Sequence, residues 1–177
     1  MLTQIDFGIL NFIQQYIAGP ALDTVMAFIT HLGDYGILWI GICLVFLTMP
    51  KHRKNGLILA SAMVAGLIIC NLLLKNIIAR PRPFMINDFP IIINPPMGYS
   101  FPSGHSSISF VAASVIAARY RKYAPLAYLT ASLIALSRIY LYVHYPSDVV
   151  AGALMGILIG VATVRIFDKK PGQSRVR

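Results

Sequence analysis

The most regular feature of this chain is a series of long runs of uncharged residues. Residues 55–74 form the longest run, and its 20 residues match what an α-helix needs to cross a bilayer core of about 30 Å. Four further runs of 15 or 16 residues cover residues 35–50, 103–118, 123–137 and 149–164. Their polar ends can complete a span by reaching the interface or by lining a cavity. The pattern predicts an all-α membrane protein with five firm transmembrane helices.

Residues 1–34 have a different pattern. Apolar residues recur at helical spacing, namely Ile5, Ile9, Phe12, Ile13 and Tyr16, while Gln4, Asn11, Gln14 and Gln15 occupy the other side. This predicts an amphipathic helix in the membrane interface, broken at Gly19-Pro20 and followed by a short helix over residues 21–32. The alternative is a sixth span over residues 7–30, which would have to hold Asp23 and the internal Gly-Pro pair. We favour the interfacial helix.

The composition supports a membrane protein. Hydrophobic residues make up 57% of the 177 residues and charged residues 12%, which is about half the charged share of an ordinary soluble domain. The mean hydropathy is +0.71. These values argue against a soluble enzyme, a disordered chain and a coiled coil. We predict one integral-membrane domain over residues 1–177, made of the N-terminal segment 1–34, a transmembrane bundle over 35–167 and a basic cytoplasmic tail over 168–177.

The net charge of +9 is distributed unevenly over the predicted topology. Eleven of the 15 basic residues lie in alternate loops: Lys51, Arg53 and Lys54; Arg119, Arg121 and Lys122; Arg165, Lys169, Lys170, Arg175 and Arg177. The positive-inside rule places these loops, and the C-terminus, in the cytoplasm. The other four, Lys75, Arg80, Arg82 and Arg138, fall at the opposite face, where the rule does not explain them. The charge therefore indicates a topology and an outer anion site, not nucleic-acid binding.

The first candidate part of that site is the segment PSGH at residues 102–105. Proline suits the first turn of a helix, while serine and glycine suit its cap, so an ordinary capped helix start is one interpretation. The other is an anion cradle, in which free amides, the Ser103 hydroxyl and the bare backbone of Gly104 approach a phosphate. His105 would face the same place.

The second part is formed by Arg138, His144 and Asp148. If a helix begins between His144 and Asp148, the carboxylate can reach the imidazole, fix its tautomer and favour its charged form. A structural histidine at the interface is the alternative.

The third part is Lys75 with the segment RPRP at residues 80–83. Alternating prolines stiffen the backbone, and guanidinium groups held in fixed directions bind phosphate oxygens. A snorkelling Lys75 and an arginine anchor for lipid headgroups are the competing interpretations.

Together the three parts resemble the signature of the type 2 phosphatidic acid phosphatase superfamily. Residues 75–83 fit K-x6-R-P, residues 102–105 read P-S-G-H, and residues 137–148 fit S-R-x5-H-x3-D. The N-terminus departs from the family pattern, because many relatives have a clear first span there.

The resemblance implies a metal-independent mechanism without a cofactor. By similarity, His144 is the nucleophile, Asp148 orients it, and His105 is the general acid and then the base. Lys75, Arg82, Arg138, Ser103 and Gly104 would bind the phosphate oxygens, as phosphoryl transfer requires. Arg80 fits no signature position, and we assign it a possible supporting role in binding phosphate or a headgroup.

The expected substrate is a membrane lipid phosphate, cleaved at the outer face of the cell membrane. Residues 84–101 are largely apolar and would either cover the lipid tail or pack on the membrane. We favour undecaprenyl diphosphate, with phosphatidic acid or phosphatidylglycerophosphate as alternatives. A lipid transporter or scramblase without catalysis is the rival of another class, although the spans lack the mid-bilayer ionisable residues expected of a transporter. We predict no obligatory protein partner.

Overall fold

The computed structural model describes residues 2–169, and no strand occurs among them. The helices are α1 (Leu2–Tyr16), α2 (Pro20–Leu32), α3 (Ile37–Thr48), α4 (Arg53–Gly66), α5 (Lys75–Ile78), α6 (Pro83–Ile86), α7 (Gly104–Arg119), α8 (Ala124–Tyr140) and α9 (Pro146–Asp168). A π-helical segment, Leu67–Leu74, joins α4 to α5 without a break. The all-α prediction is confirmed, while most of the predicted tail 168–177 lies outside the described residues.

Each of the five predicted spans is helical, but not every helix is long enough to cross a membrane alone. By length and apolar composition, Arg53–Ile86 and Pro146–Asp168 are able to cross. Helix α2 and the stretch Asp34–Thr48 would together form a third span, bent by 43°. Helices α7 and α8 have only 16 and 17 residues. The count of five or six spans stays a prediction.

The N-terminal segment forms two helices, as the pattern predicts. Gly19 at the N-cap and Pro20 at the first position of α2 separate it from α1. A continuous helix over residues 7–30, which the alternative of a sixth span would use, is not formed. The polar side of α1 does not face solvent throughout, because Asp6 is 2% exposed and contacts α9.

Helix α7 is the centre of the bundle and packs against α4, α8 and α9. Its closest neighbour is α9, which turns Gly152, Gly156 and Gly160 towards it. A Cβ atom at Gly152 would lie 2.7 Å from the Ser103 carbonyl oxygen, and one at Gly160 would lie 2.8 Å from Ser114 Cβ. These glycines let the two backbones approach closely, which fixes the start of α7 beside the start of α9.

The bundle has two chemically distinct ends. At one end, Tyr120 bonds His52 and Asn55 at 2.7 and 2.9 Å, and Arg119 pairs with Asp168 at 2.9 Å. Because α7 and α9 run towards this end, their first residues lie at the other. The described basic loops thus cluster at one end, and the signature residues at the opposite end.

Candidate active site

The signature residues meet in one cavity at the end of the bundle where α7 and α9 begin. Its volume is about 1090 Å³. Six of the eight predicted catalytic and phosphate-binding residues line it: Lys75, Arg82, Gly104, His105, Arg138 and His144. The other two, Ser103 and Asp148, are fully buried directly behind this lining. Residues from three separate motifs are thus brought to one place.

His144 lies in the short loop between α8 and α9 and is 2% exposed. Its Nε2 is 3.1 Å from Nη1 of Arg82. Since a guanidinium can only donate, Nε2 must accept, and the proton of a neutral ring is then on Nδ1. The lone pair of His144 Nε2 therefore points towards Arg82, which also lines the cavity.

Asp148 supports the other side of the His144 ring. Its Oδ2 is 3.6 Å from Nδ1, which is an ion-pair distance but too long for a hydrogen bond. The Ser100 hydroxyl lies between them: it donates to Asp148 Oδ2 and is 3.4 Å from Nδ1. The Tyr145 amide also donates to Oδ2, at 3.1 Å. As the sequence predicts, α9 begins between His144 and Asp148, at Pro146, and this brings the carboxylate of Asp148 close to the imidazole of His144.

Burial and positive charge act together on His144. Desolvation, followed by the charges of Arg82, Arg138 and Lys75, holds the pKa of His144 well below its usual value of 6.5. The ring is therefore neutral at pH 7, so that Nε2 carries a lone pair and no proton.

Arg82 is fixed by the backbone of two loops. It donates to the carbonyls of Gly98 and Met97 at 2.9 and 3.1 Å, and to that of Val143 at 3.0 Å. Neutral carbonyls hold the guanidinium in place without cancelling its charge. The side chain is 2% exposed, so that its charge acts in a poorly hydrated place.

Arg138, at the end of α8, has an incomplete set of partners. Its Nη1 donates to the Thr30 hydroxyl, whereas its buried Nε has no hydrogen-bond partner within residues 2–169. A buried N–H of a charged group is costly to leave unpaired. An anion bound in the cavity would supply the acceptor.

The start of α7 forms the predicted cap. The Ser103 hydroxyl accepts from the Ser106 amide at 3.4 Å and from the Ser106 hydroxyl at 3.0 Å, so its own proton is left to donate. Gly104 is in close contact with the π-helical segment, because a Cβ there would lie 2.7 Å from Asn71 Oδ1. A larger residue at position 104 would displace Asn71, whose buried Oδ1 has no partner among the described residues.

Arg80 lies outside the cavity lining and has two carboxylate partners. Its Nη1 is 2.7 Å from Asp148 Oδ1, and its Nη2 is 2.8 Å from Asp6 Oδ2. Arg80 thus binds two carboxylates, and the predicted supporting contact with phosphate or a headgroup would require these two ion pairs to open.

Several residues at the site carry no motif in the sequence. His105 Nε2 is 2.9 Å from Asp34 Oδ1, and His31 Nδ1 is 2.7 Å from Asp34 Oδ2. Asp6, which bonds Arg80, is likewise outside every motif. Asp6 and Asp34 both come from the N-terminal segment 1–34, in which the apolar pattern predicts two helices and no site residue. The single available signal is that both are acids in a chain that has only six.

The cavity has a second, apolar half below the charged one. Ile40, Leu44, Leu47, Ala60, Val64 and Leu67 of α3, α4 and the π-helical segment line it. A compound with a phosphate and a hydrocarbon chain matches these two halves.

Comparisons with known proteins identify the family of this chain. Residues 55–171 match the family model of the PAP2 superfamily. The chain is 32% identical over 153 residues to undecaprenyl-diphosphatase from Sulfolobus acidocaldarius, covering 85% of this chain and 73% of that protein. It is 36% identical over 137 residues to decaprenylphosphoryl-5-phosphoribose phosphatase from Mycobacterium tuberculosis, covering 75% and 73%.

A solved structure extends the match to nearly the whole fold. The crystal structure of the transmembrane PAP2 type phosphatidylglycerolphosphate phosphatase from Bacillus subtilis superposes with a TM-score of 0.77 at 28% identity. The match covers 98% of this chain and 89% of that one. The family model, the relatives and the shared fold together show that this chain belongs to the PAP2 superfamily, as a membrane phosphatase.

Proposed function

We propose that this chain hydrolyses a polyprenyl diphosphate, undecaprenyl diphosphate being favoured, at the outer face of the membrane through a phosphohistidine at His144. The proposal rests above all on one cavity that holds a neutral, buried histidine among three cations and continues between apolar side chains. Polyprenyl substrates are favoured because two of the relatives are named for them.

In the first step, the Nε2 lone pair of His144 attacks the terminal phosphorus, and the bond from phosphorus to the bridging oxygen breaks. Arg82 moves its Nη1 hydrogen bond from Nε2 to a phosphoryl oxygen, while Lys75 and Arg138 bind the others. His105 gives its proton to the departing lipid phosphate. The phosphorylated ring is cationic, and Asp148 stabilises it across the Nδ1–H side.

In the second step, His105 takes a proton from water, and the water oxygen attacks phosphorus. The bond between Nε2 and phosphorus breaks, and inorganic phosphate leaves. Three cations supply the positive charge that a metal ion supplies in other phosphoryl-transfer enzymes, so the proposal requires no metal.

The reaction is tested by phosphate release from undecaprenyl diphosphate, with detergent-purified protein in excess EDTA. We expect full activity, and a loss of at least about 10³-fold in His144→Gln, since the nucleophile is removed. His52→Gln is the matched control, because His52 lies at the opposite end of the bundle and its side chain hydrogen-bonds only Tyr120 among the described residues. Activity that EDTA abolishes and Mg²⁺ restores would contradict the proposal, as would an active His144→Gln.

The substrate is tested with a panel of undecaprenyl diphosphate, phosphatidylglycerophosphate and phosphatidic acid at equal surface concentration in mixed micelles. We expect the highest kcat/KM for undecaprenyl diphosphate. A higher value for phosphatidylglycerophosphate would assign the chain to the specificity named for the Bacillus subtilis structure. Absence of phosphate release from every lipid of the panel would contradict the proposal and favour the rival class, a lipid transporter or scramblase without catalysis.

A further inference from the structure

Helix α1 is bound by its polar side to the segment that carries His144. Asp6 Oδ1 accepts from the Ser147 amide at 3.0 Å, Asn11 Oδ1 accepts from the Tyr142 hydroxyl at 2.8 Å, and Gln14 Nε2 donates to the Tyr140 carbonyl at 2.6 Å. These three contacts follow the segment from the end of α8 to the start of α9. The family match begins at residue 55, so α1 lies wholly outside it.

Asp6 differs from the other two anchors because it is charged and buried. It is 2% exposed, and its Oδ2 accepts from the Ser147 hydroxyl at 2.6 Å and from Arg80 Nη2 at 2.8 Å. An apolar-faced helix that only rests on a membrane has no need of a buried carboxylate, whose desolvation is costly unless it is paired.

Arg80 joins Asp6 to the carboxylate that supports the nucleophile. One guanidinium nitrogen bonds Asp148 Oδ1 and the Ser147 hydroxyl, the other bonds Asp6, and the group stacks 3.7 Å from the centre of the Tyr145 ring. Asp148 in turn faces Nδ1 of His144. Two carboxylates therefore share one cation, and only Asp148 faces the histidine.

We propose that Asp6 is a positioning residue for the reaction. Asp6 partly neutralises the charge of Arg80, so that Arg80 screens the negative charge of Asp148 less, and Asp148 stabilises the phosphorylated His144 more strongly. Helix α1, which carries Asp6, thereby contributes to the active site. This inference rests on the proposed function, in which His144 is the nucleophile.

The direction of each effect follows from the sign of the charges. Without the Asp6 charge, Arg80 has Asp148 as its one carboxylate and neutralises it more fully, so the positively charged ring is less well stabilised. Without the Arg80 charge, no cation screens the negative charges of Asp148 and Asp6, so the positively charged ring of His144 is better stabilised. The two changes thus act on His144 in opposite directions, which loss of a merely structural contact would not do.

Other charges face His144 and stay constant in this comparison. Lys75 approaches it from α5, Arg82 from the turn over residues 79–82, His105 from α7, Arg138 from α8 and Asp148 from α9. None of these residues is altered in the variants. A shift of the acid limb of kcat/KM between variants therefore reports the effect of the Asp6 and Arg80 charges on His144.

The test is the pH profile of kcat/KM for undecaprenyl diphosphate, whose acid limb reports the protonation of His144 in the free enzyme. In Asp6→Asn we expect kcat to fall about tenfold, with KM unchanged, and the acid limb to move down by about one pH unit. In Arg80→Gln the limb should move up by a similar amount. In the double variant both charges are gone, and the limb should return close to its wild-type position.

Asp23→Asn is the matched control, because Asp23 is also an N-terminal carboxylate that holds the fold, accepting from the Tyr140 hydroxyl at 2.5 Å. The acid limb of kcat/KM in Asp23→Asn should stay at the pH of the wild type. If Asp6→Asn lowers Tm but leaves the limb unmoved, or if both single variants move it in the same direction, the inference is wrong. If Asp6→Asn does not fold, adding it to Arg80→Gln must still move the limb down. An active His144→Gln would instead overturn the proposed function itself.

Discussion

The proposed nucleophile, His144, is surrounded by cations, and the charges that are proposed to bind phosphate also keep its ring neutral. Desolvation, Arg82, Arg138 and Lys75 all lower the pKa of His144. Nucleophilic attack uses the neutral ring, so activity is present above the folded-state pKa and is lost as the pH falls through it. Since that pKa lies well below 6.5, we expect protonation of His144 to lower kcat/KM only below about pH 6.5.

The same shift couples His144 to stability. The unfolded chain binds a proton at a pKa near 6.5, whereas the folded chain does so only at lower pH. The contribution of His144 to stability is therefore complete above about pH 6.5 and decreases as the pH falls through the folded-state value. Measurements of Tm between about pH 8 and pH 4.5 check this, with His144→Gln showing a shallower decline. An acid limb of kcat/KM at or above pH 6.5 in the wild type would contradict the assignment of the neutral ring.

At this scale, residues that belong to a spaced motif could be predicted from the sequence. Lys75, Arg82, His105, Arg138 and His144 line one cavity because alternate loops of a helical bundle meet at one end. The residues that hold them could not be predicted. Asp34, which contacts His105, and Ser100, which contacts Asp148, are brought there only by tertiary packing, and no periodicity or local spacing marks such contacts.

At the scale of helices, the hydrophobic pattern predicted where helices occur better than it predicted their type and their packing partners. The uncharged run over residues 55–74 is helical, but its second half is the π-helix Leu67–Leu74, which hydropathy does not distinguish from an α-helix. Asn71 lies within this π-helix, and Lys75 follows it directly. Likewise, the amphipathic pattern predicted α1 but assigned no partner to its polar side, and that partner proves to be the loop of His144.

The close contact of α7 and α9 determines how far the start of α7, with Ser103 and His105, lies from Asp148. A Cβ at Gly156 would lie 2.9 Å from Phe110 Cβ and 3.0 Å from the Val111 amide nitrogen, and it would also clash with the Ser107 carbonyl. In Gly156→Ala the two helices must therefore separate. We expect a loss of about 1–3 kcal/mol in the free energy of unfolding. A fall in kcat/KM of about tenfold should accompany it, because Ser103 and His105 move away from His144.

Gly41→Ala is the matched control for this contact. Gly41 is also helical, but no neighbouring heavy atom lies within 4 Å of the place that a Cβ would occupy. Alanine is favoured over glycine in helices by up to about 1 kcal/mol, so Tm should be unchanged or slightly raised. A Gly156→Ala protein with the Tm and kcat/KM of Gly41→Ala would show that the close approach is not required.

At the scale of the whole molecule, the two ends of the bundle carry positive charge for different reasons. One end gathers the loops around residues 51–54 and 119–122 with the end of α9, where Arg119 pairs with Asp168. At the other end, Arg82 and Arg138 are buried in the candidate site and are not exposed loop charges. The positive-inside rule applies only to exposed loop charges, so the first end is expected in the cytoplasm and the active site outside.

This orientation is tested by labelling single cysteines in intact cells. After Cys43 and Cys70 are replaced by alanine, Met97→Cys reports the active-site end, since Met97 is 94% exposed, and Lys122→Cys reports the other end. A membrane-impermeant maleimide should label Met97→Cys directly, and Lys122→Cys only after the membrane is permeabilised. The reverse result would place the active site in the cytoplasm, where a lipid phosphate of the inner leaflet would be the substrate. Because the two cysteines lie at opposite ends of the same bundle, equal labelling of both in intact cells would mean that the chain inserts in both orientations.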